Sequence, residues 1–346
     1  MDRRLKLSLM PSFRIAGFLR IIPYNNAGRV TRTRALLSVT INTAILGLMF
    51  RGFWIQFSTT NHESLTIQRK GVDYARRVSH MVSIAAGMSN QAYWYILHPT
   101  LLKSVFNRIE LLSNALKNTT NYTRLNWLLG IITGATATAA LLVALLWKGW
   151  RWHLIMFMYF FPNMVQVLLI TQITALLEVS HCLFNRLNEE VKDSDNLYRC
   201  TQIHAVLCSV VRDVNRIYSR HLLFAITDLF INVTTQVYDM FKALADSTNP
   251  GSEPALVFCI ARLMFIWSVC YFTTEVCWEC DAFFRHMVEA MRARRYPCYD
   301  PTLTLYAGVK PSVAITAAGV FNITNHIITS IIATGTTYFI VLIQLE

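Results

Sequence analysis

Apolar residues in this chain gather into long uninterrupted runs separated by charged stretches, with no short alternating blocks. A helix that crosses a bilayer needs about 20 mostly apolar residues, because hydrocarbon offers the backbone no partner except its own helix. On that measure the spacing predicts spans at Ala35–Phe57, Val78–His98, Trp127–Trp147, from Leu154 onward with a kink at Pro162, Leu222–Met240 and Ala255–Val276. The last run, Val313–Ile343, is long for one span, and Gly335 with the polar stretch Asn322–Asn325 predicts that it breaks into two helical pieces. Together these give an all-α membrane protein with seven transmembrane helices. Residues 1–34 form a basic N-terminal segment ahead of a single helical domain over 35–346.

Basic residues orient the spans, since connections rich in Lys and Arg stay in the cytoplasm. The N-terminal segment carries Arg3, Arg4, Lys6, Arg14, Arg20, Arg29, Arg32 and Arg34, and the connections after the second, fourth and sixth spans are also basic. The opposite side has only Arg51, Arg69, Lys70, Arg76, Arg77, Lys148, Arg151 and Lys242. The N-terminus is therefore expected to be cytoplasmic and the C-terminus extracellular. Two adjacent glycosylation sequons, at Asn118 and Asn121, fall in a connection that this count places inside. Within about 176–220 and 277–312 apolar residues recur at three- and four-residue spacing between charges, which predicts cytoplasmic helix extensions packed as an inner anchor domain.

Composition sharpens the class. Hydrophobic residues make up 54% of the chain and charged ones 15%, well below the roughly one quarter of an average soluble domain. The net charge of +12 lies in the connections and forms no basic stripe with interleaved aromatics, so nucleic acid is not an expected partner. The eight cysteines avoid the segments expected outside, and no disulfide framework or cofactor is expected. No phosphate loop, nucleophile elbow or His-Glu-x-x-His pair appears, so enzymatic function is not expected. Cys277-x-x-Cys280 with His286 and Cys298 could be part of a zinc site, but the same spacing suits buried thiols at a helix end.

Ionisable groups at membrane depth are costly, so Asp228 and Arg262 are expected to line a polar cavity or pair across it, unless one of them sits at the interface. Phe157, Tyr159, Phe160, Gln236, Tyr238, Arg262, Phe265 and Trp267 combine ring faces with polar groups near the outer ends of three spans. Small-molecule pockets use such material, and so does an interfacial aromatic belt. In the last helix Thr337, Val341 and Gln344 stand at i, i+4 and i+7 and share one face. Repeated around a symmetry axis, they would form a ring of amides beside a ring of valines. The first could touch hydrated ions and the second could close by dewetting.

The ending Thr337-Tyr338, five apolar residues and Gln344 resembles the C-terminal signature of insect gustatory receptors, with close variants in the related odorant receptors and their co-receptor. The run Thr316–Ile323 and the spaced residues His204, Leu207, Asn215 and Tyr218 are similar to further family patterns. Thr324 stands where many relatives have Asp, and Leu345 replaces the usual Phe, as in the odorant co-receptor. The resemblance implies a tetrameric, tastant-gated, non-selective cation channel in the plasma membrane of a sensory neuron, at the dendrite or cell body, surrounded by lipid. It would work as a homotetramer or as a heterotetramer with other gustatory receptors. Val341 would be the hydrophobic constriction, with Ile340 beside it, and Gln344 the pore-facing amide. Thr337 and Tyr338 would couple the pore helix to its neighbours. An odorant-receptor-type subunit is the nearest alternative; a seven-helix G-protein-coupled receptor would need the opposite orientation, and a transporter would need internal repeats.

Overall fold

A computed structural model describes residues 98–116, 150–193, 196–246, 253–293 and 301–344, with scattered helical positions between 40 and 94. The expected spans Ala35–Phe57 and Trp127–Trp147 lie wholly or almost wholly outside the described residues, as do the two sequons.

The first helix, α1 (Pro99–Ala115), starts on proline, whose fixed φ and missing N–H suit the first helical turn. Its residues Leu102, Val105, Ile109 and Leu112, with Leu116 just beyond, are buried at three- and four-residue spacing. Three long helices follow: α2 (Trp150–Asp193), α3 (Leu197–Asp246) and α4 (Glu253–Ala293). The 44-residue α2 continues through Pro162 without a break. Asn196 caps α3 by accepting a hydrogen bond from the Arg199 amide at 3.0 Å. At 1.5 Å per residue these helices run for roughly 60–75 Å, about twice the thickness of a bilayer's hydrocarbon core.

Helices α2 and α4 pack along each other, and α3 lies against both and against α1. Leu176, Val179, Leu183, Leu187 and Val191 of α2 form one continuous buried stripe. Leu207, Val211 and Val214 of α3 and Val276, Phe283 and Met287 of α4 meet it. Between α1 and α3, Arg108 reaches Asp213 at 3.0 Å and Ser209 at 3.0 Å. Among the described residues, no helix is long and apolar enough to cross a membrane. Polar groups punctuate the long helices, with Gln172, Glu178 and Asn188 on α2 and Asp228 and Asn232 on α3 all buried.

After the short α5 (Pro301–Val309), residues 310–315 form a strap that leads into two strands, β1 (Thr316–Ala317) and β2 (Phe321–Asn322). The strands are antiparallel, Thr316 opposite Asn322 and Ala317 opposite Phe321. The final helix, α6 (His326–Gln344), follows directly.

This corrects the expectation of a last helix in two helical pieces. Its first half is a β-hairpin, and its second half is one helix that passes through Gly335 unbroken. Ala318 and Gly319 adopt φ values of 52° and 77°, and the Val320 amide donates to the Ala317 carbonyl at 2.9 Å. Positive φ at both central residues is the feature of the mirror-image turns that match strand twist, and glycine meets the second position without strain. With Val320 the connection from Ala317 to Phe321 is three residues long.

Candidate pore helix and its anchor

On α6, Ile331 and Gly335 are buried and Ile327 and Ile328 half-buried, at helical spacing, so they form one face. That face lies on α3. Tyr338 meets Phe230 edge-to-face at 5.8 Å, and a Cβ added at Gly335 would stand 3.5 Å from Thr234 Oγ1. A small residue there lets the two backbones approach closely.

The opposite face is bare. His326, Ser330, Ala333, Thr337, Val341 and Gln344 are all exposed and fall within about a quarter turn of one another, as 3.6 residues per turn dictates. Thr334, Ile340 and Tyr338 are exposed on its flanks. Several hydroxyls of this helix donate to its own backbone. Ser330 donates to the His326 carbonyl at 2.9 Å, Thr336 to Ile332 at 2.8 Å and Thr337 to Ala333 at 3.0 Å. A hydroxyl so bonded can face a low-dielectric or a wet environment at little cost, because its O–H is satisfied and its lone pairs stay free to accept from water.

The hairpin fastens α6 to the helical core. Asn215 of α3 accepts a hydrogen bond from the Thr316 amide at 3.0 Å and donates to Thr316 Oγ1 at 3.4 Å. The Ala318 amide donates to the Ser219 carbonyl at 3.1 Å. One turn further, Tyr218 is buried with its hydroxyl 3.5 Å from Gln172 Oε1. Of the residues in the sequence pattern, Asn215 thus holds the root of the last helix, and Tyr218 ties α3 to α2.

A third, His204, sits deeper among the cytoplasm-expected extensions. Its ring stacks on Phe283 at 4.1 Å, and Nδ1 is 2.7 Å from the Tyr306 hydroxyl. Nε2 lies 3.3 Å from the Cys280 carbonyl and 3.6 Å from Cys280 Sγ. Cys208, one turn along α3, places its sulfur 3.7 Å from Cys280 Sγ. Cys208 is held below the ordinary thiol value by the hydrogen bond from Cys280 and by the nearby Arg212, while Cys280 is pushed up by that same bond and by burial. His204, Cys208 and Cys280 are the one group among the described residues whose ligand atoms could hold a metal.

The cysteines and histidine singled out from sequence diverge. Cys277 donates to the Val313 carbonyl at 3.2 Å, His286 faces Glu289 at 3.5 Å, and Cys298 lies outside the described residues. The real neighbour of Cys280 is Cys208, on another helix. The signal that could have found it is His204-x-x-x-Cys208, which puts both side chains on one face of a helix.

Of the pocket candidates, the side chains of Phe157, Tyr159, Phe160, Gln236, Arg262 and Phe265 lie outside the described residues. Tyr238 is buried, whereas Trp267 is 45% exposed and stacks on Tyr271 at 5.7 Å, so these two turn to different surroundings. Asp228 is buried and accepts from Asn232 Nδ2 at 2.8 Å and from Ser79 Oγ at 3.5 Å. Asn232 and Ser79 are thus among the hydrogen-bond partners of its carboxylate.

A sequence profile described as 7tm Chemosensory receptor matches residues 8–346. The chain belongs to this family. Membership makes it a chemosensory receptor located in a membrane. The fold agrees with that of a solved relative, the insect olfactory receptor OR5 from Machilis hrabei in complex with eugenol. The TM-score is 0.73 at 15% identity over 97% of this chain and 98% of that one. The same receptor in a structure described without eugenol gives 0.64 at 15% identity over 96% and 97%. No curated protein matches the chain at a significant level.

Proposed function

We propose that this chemosensory receptor is a gustatory receptor, a tastant-gated non-selective cation channel whose pore is lined by the α6 helices of four subunits. The observation that carries the reading is the division of α6 into one face seated on α3 and an opposite exposed face bearing Ser330, Thr337, Val341 and Gln344. A helix packed on one side only requires something else on the other. Hydroxyls, an amide and one branched aliphatic group suit an aqueous path better than lipid. Val341 is the hydrophobic gate, with Ile340 beside it, and closes by dewetting; Gln344 contacts hydrated cations at the mouth.

The N-terminus lies in the cytoplasm and Gln344 near the outer surface. The inner portions of α2, α3 and α4, over about 176–220 and 277–312, form an anchor domain below the bilayer. Small organic ligands bind among the outer aromatic residues and favour the open state by binding it more tightly. The route from pocket to gate passes along α3, through Asn215 and the hairpin, into α6. An odorant-receptor-type subunit is the second reading, favoured by Leu345 and by the likeness to a receptor solved with eugenol.

The test is electrophysiological. Val341→Ala, verified at the cell surface, should raise ligand-free cation current several-fold over the unmodified receptor. Unchanged gating and permeation would remove the pore assignment. A calcium-flux screen across tastants and volatile odorants, alone and with co-expressed receptors, separates the two subtypes. An N-terminal epitope tag detected on unpermeabilised cells would overturn the orientation and with it the channel plan.

A further inference from the structure

We propose that His204, Cys208 and Cys280 form a binding site for a thiophilic d¹⁰ cation, zinc or cuprous ion, closed by the carbonyl oxygen of Pro311. The argument is geometric. Tetrahedral zinc, with Zn–S near 2.3 Å and Zn–N near 2.0–2.1 Å, sets two sulfurs about 3.8 Å apart and sulfur from nitrogen about 3.5 Å. Here the two sulfurs are 3.7 Å apart, and Nε2 of His204 lies 3.6 Å from Cys280 Sγ and 3.8 Å from Cys208 Sγ. Pro311 O stands 3.7 Å from Cys280 Sγ and 3.9 Å from Cys208 Sγ, near enough to both sulfurs to offer the fourth donor. Without the carbonyl, the two sulfurs and the nitrogen make a three-coordinate set suited to cuprous ion.

The surroundings complete the design. Tyr306 contacts the other ring nitrogen at 2.7 Å, the outer-shell bond that fixes the tautomer of a ligating histidine. A hydroxyl can donate or accept. With Nδ1–H donating to Tyr306, Nε2 turns a lone pair to the metal; in the alternative tautomer Nε2–H donates to the Cys280 carbonyl. Binding releases the two thiol protons to solvent and leaves each sulfur as a thiolate. Phe283, stacked on the imidazole, and Phe184 and Phe284, edge-on to it, shield the cluster from water. The four donors come from α3, α4 and the strap, so the ion would clip the segment that feeds the hairpin and α6 to the helical core.

The experiment is metal analysis of the full-length receptor, purified through a histidine-free tag from cells supplied with zinc or with copper. Washing with EDTA strips adventitious ions. About one zinc or copper per chain should remain, released on denaturation, and the supply arm in which it appears identifies the ion. X-ray absorption should show two sulfurs and one nitrogen around it. Cys208→Ser and Cys280→Ser should each lose the metal at least ten-fold, Cys277→Ser should keep it, and Cys208→His should restore it if folding needs a ligand there. Metal-free receptor from both arms, with both thiols reactive after denaturation, would overturn the proposal, as would a Cys208–Cys280 disulfide. None of these readings depends on current, so failure here leaves the pore assignment standing.

Discussion

The inner helical core and the last helix are built from similar residues and treated in opposite ways. In the core, Leu183, Phe184, Val211, Phe283 and Met287 are wholly enclosed, and polar groups such as Asn188 are hydrogen-bonded across helices. On α6, which has the more apolar sequence, Ile332, Tyr338, Ile340 and Val341 are each 43–55% exposed. A single chain therefore completes its helical core and leaves one face of its last helix uncovered. The core can be judged within one subunit. The function proposed for α6 has to be tested in the assembled receptor in its membrane.

Substitutions can break this contrast. The largest effect is expected in the core: Phe283→Ala removes a fully buried ring and should cost about 3–5 kcal/mol, read as a lowered melting temperature of the purified receptor. Ile340→Ala on α6 should cost the subunit far less and instead alter assembly or current. Equal loss of stability from both would erase the distinction between the regions. Next comes the junction. Asn215→Ala strands the Thr316 amide and should cost about 1–3 kcal/mol, with faster hydrogen exchange confined to 313–323. A smaller gain is expected from Ala318→Gly, which relieves a positive φ and should stabilise the hairpin by up to about 1 kcal/mol in the same assay. Smallest is Arg108→Ala. Its pair with Asp213 is partly solvated, so less than about 1 kcal/mol should be lost, and less still at high salt.

What the sequence made legible follows the reach of its signals. Long apolar runs marked the long helices α2, α3 and α4, and the spaced His204, Asn215 and Tyr218 pointed to residues packed or hydrogen-bonded between helices. The hairpin was read as helix because Val313–Val320 is a short apolar run, and periodicity cannot tell buried strand from helix there. Ala318-Gly319 was a turn signal hidden inside it. Cys277-x-x-Cys280 drew attention to the wrong pair, since one helix turn sends the two thiols to different carbonyls and sulfurs. The meeting of Cys208 with Cys280 depends on the packing of α3 against α4, and no local pattern encodes it. The pocket was least legible, because an aromatic residue serves a ligand, a belt or a core equally; of the candidates with described side chains, Tyr238 is buried and Trp267 exposed.

The most direct test replaces Val341, Gln344 and Ile331 one at a time with cysteine and applies a charged, water-soluble thiol reagent during current recording, with the unmodified receptor as background. Modification at 341 and 344 should block ligand-evoked current within seconds, while the α3-facing position 331 should be indifferent. Full current after complete labelling at 341 and 344, or block at 331 alone, would contradict a pore lined by this face of the last helix.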